Sequence, residues 1–347
     1  AARLERTVLR MMRNRSVYGA VLSVESGDGS LSWTGSAGNL GREDRYYIAS
    51  VTKLYITAVM LMLREEGRLE FSHPVTTYFP EELIRGIHVI DGVDYTQQIT
   101  IAHLMSNASG IPDYFYYAEP KKHAAKSLMA GQDESWPLTR AIEQAKARPA
   151  KFKPGAPGKV HYSDTNYQLL GGIIESVTAM DLADVFDAML FKPMGLQHTY
   201  AYQDINDTSP VPFYYNRQQV HVPKYLASIT AEGGIVSTAA EVMQFLTSFF
   251  KGFFFPAHRI TELTRDMRMI WAPGQFYYGL GIEKLWTPRV LSPLHPLGDL
   301  LGFWGQTGAF AFYNPDRDLY FTGTVNQASG LGHSAAYRAM IHILKHS

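Results

Sequence analysis

The spacing of hydrophobic residues separates the two ends of the chain from its middle. Near both ends, short apolar runs bounded by turn-forming residues predict strands at 18–24, 30–34, 276–283, 308–313 and 319–325. Apolar residues at intervals of three and four predict helices over 3–14, 50–66, 99–106, 138–148, 164–178, 181–191 and 334–345. The middle of the chain is therefore expected to be mostly helical, whereas the ends mix strands and helices.

This arrangement predicts an α/β (α+β) fold in which an antiparallel sheet flanked by helices carries an inserted, mostly helical domain. We expect residues 1–69 and 221–347 to form one discontinuous α/β domain, and residues 70–220 to form the helical domain. Because clefts between such domains commonly bind ligands, the functional site is expected where the two domains meet.

Composition narrows the class of protein further. Of the 347 residues, 46% are hydrophobic and 18% are charged, so the chain can bury a large core. Lys and Arg number 32 and so do Asp and Glu, which gives no basic surplus for nucleic-acid binding. The absence of cysteine excludes a thiol nucleophile and thiolate metal sites. The apolar run at 56–63 is shorter than the ~20 residues that a membrane span needs.

The tetrad Ser50-Val-Thr-Lys53 places a hydroxyl and an amine on one face of a predicted helix. A serine hydroxyl attacks carbonyl carbon only when a base accepts its proton, and a neutral Lys53 could do so. The backbone N–H of Ser50 at the helix start could also stabilise developing negative charge. The tetrad alone is weak, because Ser248-Phe-Phe-Lys251 has the same form, and Ser50 could be a simple helix cap beside a surface lysine.

Two later segments offer further groups that could act together with the Ser50–Lys53 tetrad. In the segment 161–167, Tyr162 can serve as a proton shuttle, although Ser163 or Asp164 could equally cap the helix that follows. Gly305-Gln-Thr-Gly-Ala309 leads into a predicted strand, where glycine lets a substrate approach and Ala309 offers a backbone N–H. An ordinary glycine turn is the alternative for this second segment.

The ordered set of S-x-x-K, Y-x-N-like and x-T-G motifs resembles penicillin-binding proteins and serine β-lactamases. The similar branch includes class C β-lactamases, D-aminopeptidases, D-alanyl-D-alanine carboxypeptidases and family VIII-type esterases. The resemblance extends over most of the chain through family landmarks at 47–53, 99–112, 193–196, 232–238 and 278–281.

The resemblance implies a β-lactamase/transpeptidase-like fold and a metal-independent serine hydrolase that forms an acyl-enzyme without a cofactor. It implies that Ser50 is the nucleophile, and that Lys53 and Tyr162 share acid and base work. The N–H groups of Ser50 and Ala309 would form the oxyanion hole. The implied substrate-binding residues are Asp164, Gln306, Thr307 and Gly308.

Two positions depart from the family pattern. Asp164 stands where the family most often has Asn, and an ionised Asp cannot donate to a substrate carbonyl. Its negative charge also favours the charged form of Lys53, which is not a base. Gln306 replaces the usual Lys or His and cannot supply a positive charge to a substrate carboxylate. Both departures favour an ester or amide substrate without a carboxylate over penicillins and over peptides with a free C-terminal carboxylate.

The sequence thus predicts an esterase or amidase related to β-lactamases, acting on a small molecule or short peptide. A D-alanyl-D-alanine carboxypeptidase or D-aminopeptidase is the first alternative, and a binder that is acylated without turnover is the second. No nucleic-acid partner is expected, and the sequence makes no prediction of the oligomeric state. A bacterial source is expected, with the protein either cytoplasmic or exported after loss of a leader.

The remaining candidate residues carry weaker signals. His103, His161 and His333 are expected to be structural, because no zinc-binding spacing joins them. Aromatic clusters at 114–117, 213–215 and 276–278 are expected to pack mainly in the core, with one of them lining the cleft and favouring apolar groups.

Overall fold

An antiparallel sheet of eight strands is the framework of the computed structural model, which describes residues 2–13, 15–115, 124–270 and 275–347. The strands in chain order are β1 (Gly19–Ser26), β2 (Ser32–Gly38), β3 (Tyr46–Tyr47), β4 (Val89–Ile90), β5 (Val93–Asp94), β6 (Tyr200–Ala201), β7 (Phe213–Tyr215), β8 (Gln218–Val220), β9 (Ile235–Ser237), β10 (Arg268–Met269), β11 (Phe276–Tyr278), β12 (Glu283–Leu285), β13 (Leu300–Trp304), β14 (Ala309–Asn314) and β15 (Leu319–Thr324). The order in the main sheet is β10-β11-β12-β13-β14-β15-β1-β2, so strands from the two ends of the chain meet where β15 pairs with β1.

Helices surround this sheet and fill the middle of the chain. They are α1 (Ala2–Met11), α2 (Thr52–Glu65), α3 (Glu81–Ile84), α4 (Ile101–Met105), α5 (Ala124–Met129), α6 (Leu138–Lys146), α7 (Asp164–Thr178), α8 (Leu182–Phe186), α9 (Lys192–Met194), α10 (Pro223–Ser228), α11 (Ala239–Lys251), α12 (Arg259–Thr264) and α13 (Gly330–Leu344). The predicted antiparallel sheet flanked by helices is thus confirmed.

Both faces of the central strands are covered, which explains why β15 is buried along its whole length. On β1, Val21 points into a core that includes α2 and α11. Its neighbours Ala20 and Leu22 point into a second core formed with α1 and α13. Burying one such aliphatic side chain contributes about 1.5–3 kcal/mol, so the sheet is held from both sides.

Part of the helical middle packs on the same core as α2, and another part forms a separate cluster that includes Tyr114, Trp136 and Phe213. Tyr167, Leu170 and Ile174 of α7 lie among the buried side chains of α2. In a small sheet with the order β3-β9-β6, β9 pairs on one side with β3, which precedes Ser50, and on the other side with β6 from the middle of the chain. The domain boundaries at 69/70 and 220/221 stay a prediction.

Some predicted elements differ in detail from the structure. The predicted strand at 276–283 is two strands, because Gly281 adopts a positive φ of 77° and turns the chain between β11 and β12. A side chain at Gly281 would also clash with Thr57 of α2. The predicted helix at 181–191 is α8 followed by a π-helical turn at Asp187–Phe191.

Candidate active site

Ser50 lies on a strained turn that joins β3 to α2. The turn is a 3-10 helix at Ala49–Val51, so α2 begins at Thr52 and not at the predicted position 50. Ala49 has a φ of 46°, a left-handed conformation that costs a non-glycine residue of order 1–3 kcal/mol. Thr307 stabilises this turn from the other side, because its Oγ1 donates to the Tyr47 carbonyl over 2.6 Å. The turn presents Ser50, which is half-buried, to the surface of a cleft.

The hydroxyl of Ser50 contacts both side chains that the sequence assigns to acid and base work. Nζ of Lys53 lies 2.9 Å from Oγ of Ser50, across one turn of the helix. The Tyr162 hydroxyl, from the loop before α7, lies 3.0 Å from the same oxygen. The structure therefore brings together Ser50, Lys53 and Tyr162 from positions up to 112 residues apart.

Lys53 is fully buried, so its interpretation as a surface lysine is wrong. Besides Ser50, its Nζ donates to the Glu232 carbonyl at 2.9 Å and pairs with Oδ1 of Asp164 at 2.8 Å. An ammonium has three N–H donors and no acceptor, and here three oxygens surround it within 3 Å. These surroundings fit the charged form of Lys53.

Asp164 owes its position to hydrogen bonds at the start of α7. The Asp164 N–H donates to Oδ1 of Asp113 over 2.8 Å, and the Ser163 N–H donates to Oδ1 of Asn107 over 3.1 Å. Ser163 takes the N-cap position of α7 as predicted, but its side chain makes no capping hydrogen bond, and Asn107 and Asp113 from the segment after α4 accept the Ser163 and Asp164 N–H groups. The Asp164 side chain is thereby left to face Lys53.

The segment 305–309 packs against the turn that carries Ser50. Gly305 touches the Ile48 carbonyl so closely that a side chain there would clash. Ala309 lies opposite Thr324, and the Val325 N–H donates to the Gly308 carbonyl. In an antiparallel ladder this register directs the Ala309 N–H away from β15 and toward β13. β14 contacts the Ser50 turn, so the N–H groups of Ser50 and Ala309 can flank one carbonyl oxygen.

Two cavities open beside Ser50. The large cleft has a volume of about 530 Å³, and its lining includes Ser50, His161, Tyr162, Phe276, Glu283, Trp304, Gln306 and His333. The small pocket has about 50 Å³, and its lining includes Ser50, Phe115, Asp164, Phe213, Tyr225, Glu232 and Gln306. Ser50 and Gln306 border both, so a substrate bound at Ser50 can extend into each.

Sequence reasoning missed a group of buried carboxyl groups near Lys53. Asp113, Glu232 and Glu283 are almost completely buried. Burial, followed by the charge of Asp164, raises the pKa of Glu232 well above its ordinary value, and Tyr114 donates to its carboxylate. Burial raises the pKa of Glu283 to about 8. A sequence signal existed for Glu283, because it occupies an inward position of a strand where an apolar residue is expected.

The structure shows where the three histidines and the three aromatic clusters of the sequence analysis lie. His103 completes a capping box at the start of α4, and the His333 ring lies 2.9 Å from the Gly305 carbonyl oxygen. Burial lowers the pKa of His161 to about 4 and also lowers the pKa of His333, so both rings are neutral near pH 7. Members of all three aromatic clusters border a cavity, and not of one cluster as expected: Phe115 and Phe213 border the small pocket and Phe276 the large cleft, whereas positions 116 and 117 lie outside the described residues.

No group of three potential metal-ligating side chains occurs within the described ranges. Within the same part of the chain, the helices are too short or too polar to cross a membrane. The second S-x-x-K sequence lies on α11, where Lys251 is exposed and donates to the Gly27 carbonyl.

Comparison with known proteins gives a consistent result. A family model described as Beta-lactamase matches residues 4–344. A putative D-alanyl-D-alanine carboxypeptidase from Salmonella agona strain SL483 is 36% identical over 155 residues, 44% of this chain and 33% of that protein. The chain thus aligns with only about a third of the length of the curated relatives that it matches.

Solved structures resemble the chain over nearly its whole length. A D-stereospecific amidohydrolase from Streptomyces sp. is 24% identical with a TM-score of 0.77, covering 97% of this chain and 98% of that chain. D-amino acid amidase from Ochrobactrum anthropi SV3 is 19% identical with a TM-score of 0.79, covering 99% of each chain. EstCE1, a hydrolase with promiscuous acyltransferase activity, is 20% identical with a TM-score of 0.80, covering 100% of this chain and 98% of that chain.

At these identities the structural likeness establishes the fold, and the β-lactamase/transpeptidase-like architecture predicted from the motifs is confirmed. The family match extends over all but a few terminal residues and includes the segments that carry Ser50, Tyr162 and Ala309. The chain therefore belongs to the beta-lactamase family, whose members are metal-independent serine hydrolases that act through an acyl-enzyme.

Proposed function

We propose that this protein hydrolyses small esters or amides that lack a carboxylate next to the scissile bond, through an acyl intermediate on Ser50. The observation that carries the proposal is the position of Ser50 Oγ, 2.9 Å from Lys53 and 3.0 Å from Tyr162, at the junction of two cavities. Of the described residues that line these cavities, none is Lys or Arg, and the lining residues His161 and His333 are neutral near pH 7.

In the first step, Ser50 Oγ attacks the substrate carbonyl carbon while its proton passes to the Tyr162 oxygen. Tyr162 accepts this proton as a phenolate, which forms when the Tyr162 hydroxyl first releases its own proton to solvent, and the charge of Lys53, 5.3 Å from the ring centroid, favours that phenolate. The negative charge that forms on the carbonyl oxygen is stabilised by the N–H groups of Ser50 and Ala309.

In the second step, Tyr162 returns its proton to the leaving alcohol or amine, and the acyl group remains on Ser50. A water molecule then attacks the acyl carbon, Tyr162 accepts a proton from this water, and Ser50 leaves with that proton. Each proton that Tyr162 accepts is therefore released before the next turnover.

The acyl preference follows from the carboxylate that borders the small pocket. Asp164 accepts hydrogen bonds and repels a substrate carbonyl oxygen at the same place. An N–H or ammonium donor beside the scissile carbonyl fits this position, with a small apolar group against Phe115, Phe213 and Tyr225. Thr307 forms part of the wall of this pocket next to Ser50, whereas Gly308 packs against the backbone of Gln327.

Labelling of Ser50 tests the proposal directly. We expect a fluorescent fluorophosphonate to add one equivalent to the wild-type protein, located at Ser50 by intact mass and peptide mapping. Ser50→Ala should not be labelled, whereas Ser248→Ala should be labelled like the wild type, because Lys251 is exposed and Ser248 lies on α11. Failure of both a fluorophosphonate and a fluorescent penicillin to label wild-type Ser50 would contradict the proposal.

The same preparation separates an enzyme from an acylated binder. With a neutral aryl ester, we expect continuous release of the phenol over many equivalents. One equivalent of phenol without steady turnover would instead support a protein that is acylated and retains the acyl group.

Gln306 should limit kcat/KM for substrates that carry a carboxylate. Its side chain borders both cavities and donates from Nε2 to the Ala328 carbonyl over 2.8 Å. Gln306→Lys places a positive charge there, so we expect the kcat/KM for a cephalosporin, relative to a neutral aryl ester, to rise about ten-fold. The control Gln219→Lys adds the same charge on β8, at an exposed position outside the cavity linings. Comparable wild-type turnover of the two substrates would contradict the preference for neutral groups.

A D-alanyl-D-alanine carboxypeptidase is the second candidate, because the curated relatives carry that name over the matched 155 residues. Such a substrate ends in a carboxylate, for which Gln306 offers an amide and no charge. Release of D-alanine from a D-alanyl-D-alanine peptide at a rate similar to ester hydrolysis would favour this candidate.

A further inference from the structure

A groove lined by arginine lies between α1 and α13, apart from the cavities at Ser50. Its volume is about 530 Å³, equal to that of the large cleft. Its lining includes Arg10, Arg13, Arg338 and His342, with Met11 and Ala339 at its floor. A cavity of this size can enclose much of a small ligand.

The charge of this basic groove is concentrated, although the whole chain has a formal net charge of zero. Within residues 2–13 and 330–347, Glu5 is the only acidic residue of the sequence. The three arginine side chains that line the groove are exposed, and no ion pair within the described parts of the chain includes them. Their positive charge therefore lacks a carboxylate counterpart within the described protein.

The surroundings of His342 indicate that the groove has a positive electrostatic potential. Nη1 of Arg10 lies 3.0 Å from Nε2 of His342, and because arginine only donates, Nε2 is the acceptor and the ring is neutral. Burial, followed by the charges of His346, Arg10, Arg3 and Lys345, lowers the pKa of His342. The groups facing this ring from α1 and from the end of α13 are thus predominantly cationic.

We propose that the basic groove is a binding site for a ligand that carries a phosphate group. Guanidinium groups bind phosphate through paired N–H donors, and Arg10 and Arg338 present such groups from the two helices that form the groove. Sharing a multivalent anion between α1 and α13 would neutralise charges that otherwise repel. The chemistry is the same for a free phosphorylated compound and for an anionic lipid headgroup.

Titration of inorganic pyrophosphate into the full chain tests this site, with isothermal calorimetry and the NMR signals of His342 as readouts. We expect saturable binding, and an upward shift of the His342 pKa when the anion is bound, because the anion offsets the nearby positive charges. Arg10→Gln combined with Arg338→Gln should weaken binding by about ten-fold or more.

The control pair Arg42→Gln and Arg85→Gln removes the same charge from exposed positions elsewhere and should leave the affinity within about two-fold. Thermal unfolding checks that both double variants are folded. Equal weakening by the two pairs would overturn the proposal.

Vesicles separate the two sources of phosphate. Binding to vesicles that contain phosphatidylglycerol but not to pure phosphatidylcholine, lost in the Arg10/Arg338 variant, would assign a lipid headgroup. Binding of pyrophosphate without vesicle binding would assign a free phosphorylated ligand. Failure in both assays would overturn the proposal, and a positive result in either leaves the proposed reaction at Ser50 unaffected.

Discussion

Tyr162→Phe should lower kcat/KM for a neutral aryl ester by about 10²–10⁴-fold, the usual contribution of a positioned general base. The Tyr162 oxygen lies 3.0 Å from Ser50 Oγ, whereas the other neighbour, Lys53, is surrounded by three oxygens that fit its charged form. Without the Tyr162 oxygen, the side chain still hydrogen-bonded to the Ser50 hydroxyl among the described residues is Lys53, whose surroundings fit a charged donor and not a base. Steady-state kinetics and the rate of fluorophosphonate labelling measure the loss.

Phenylalanine at this position keeps the aromatic contact, because the Tyr162 ring packs edge-on against Tyr278 at 5.9 Å. The matched control is Tyr78→Phe, which removes a hydroxyl that contacts His73 in another part of the protein. The control should keep the wild-type rate. A Tyr162→Phe rate within about ten-fold of the wild type would assign the proton to Lys53 instead.

The fold and the central residues could be predicted because their signals are local or ordered. Ser50 and Lys53 meet through the i, i+3 geometry of a helical turn, which sequence spacing alone specifies. Tyr162 and Ala309 were found through the order of motifs in the chain, and the structure places both segments against Ser50.

The electrostatics around Lys53 could not be predicted in the same way. The sequence does not distinguish an exposed carboxyl side chain from a buried one. Only the fold buries Asp113, Glu232 and Glu283 together. The start of α7 shows the same limit, because Asp113 and Asn107 reach its N–H groups from a different segment. Side chains distant in the sequence thus decide how Asp164 faces Lys53.

Glu283→Gln should make the protein more stable relative to the wild type as the pH rises from 5 to 8.5. Burial raises the pKa of Glu283 from 4.5 to about 8, although the Trp304 N–H and the charge of Lys53 favour its ionised form. The folded protein therefore keeps a proton on Glu283 through a pH range in which the unfolded chain has released it. Stability from this group is complete below pH 4.5 and is lost as the pH rises toward 8.

The size of this loss follows from the shift in pKa. Each pKa unit corresponds to about 1.4 kcal/mol, so the free energy of unfolding falls by up to about 5 kcal/mol across the window. Glutamine has nearly the same shape and does not ionise, so the variant escapes this loss. Urea or thermal unfolding of both proteins at pH 5, 7 and 8.5 should show a difference that grows with pH.

Glu66→Gln is the matched control, because it removes a carboxyl that is exposed at the end of α2. Its difference from the wild type should not show a comparable trend. The buried groups near Glu283, including Lys53, Tyr278 and the His161 and His333 rings, are unchanged in both variants, so their titration cancels in the comparison. A Glu283→Gln difference that stays constant from pH 5 to 8.5 would show that the folded protein tolerates the ionised carboxylate. In that case Glu283 would be a negative charge in the large cleft at neutral pH, and the preference for substrates without a carboxylate would then rest on Glu283 as well as on Gln306.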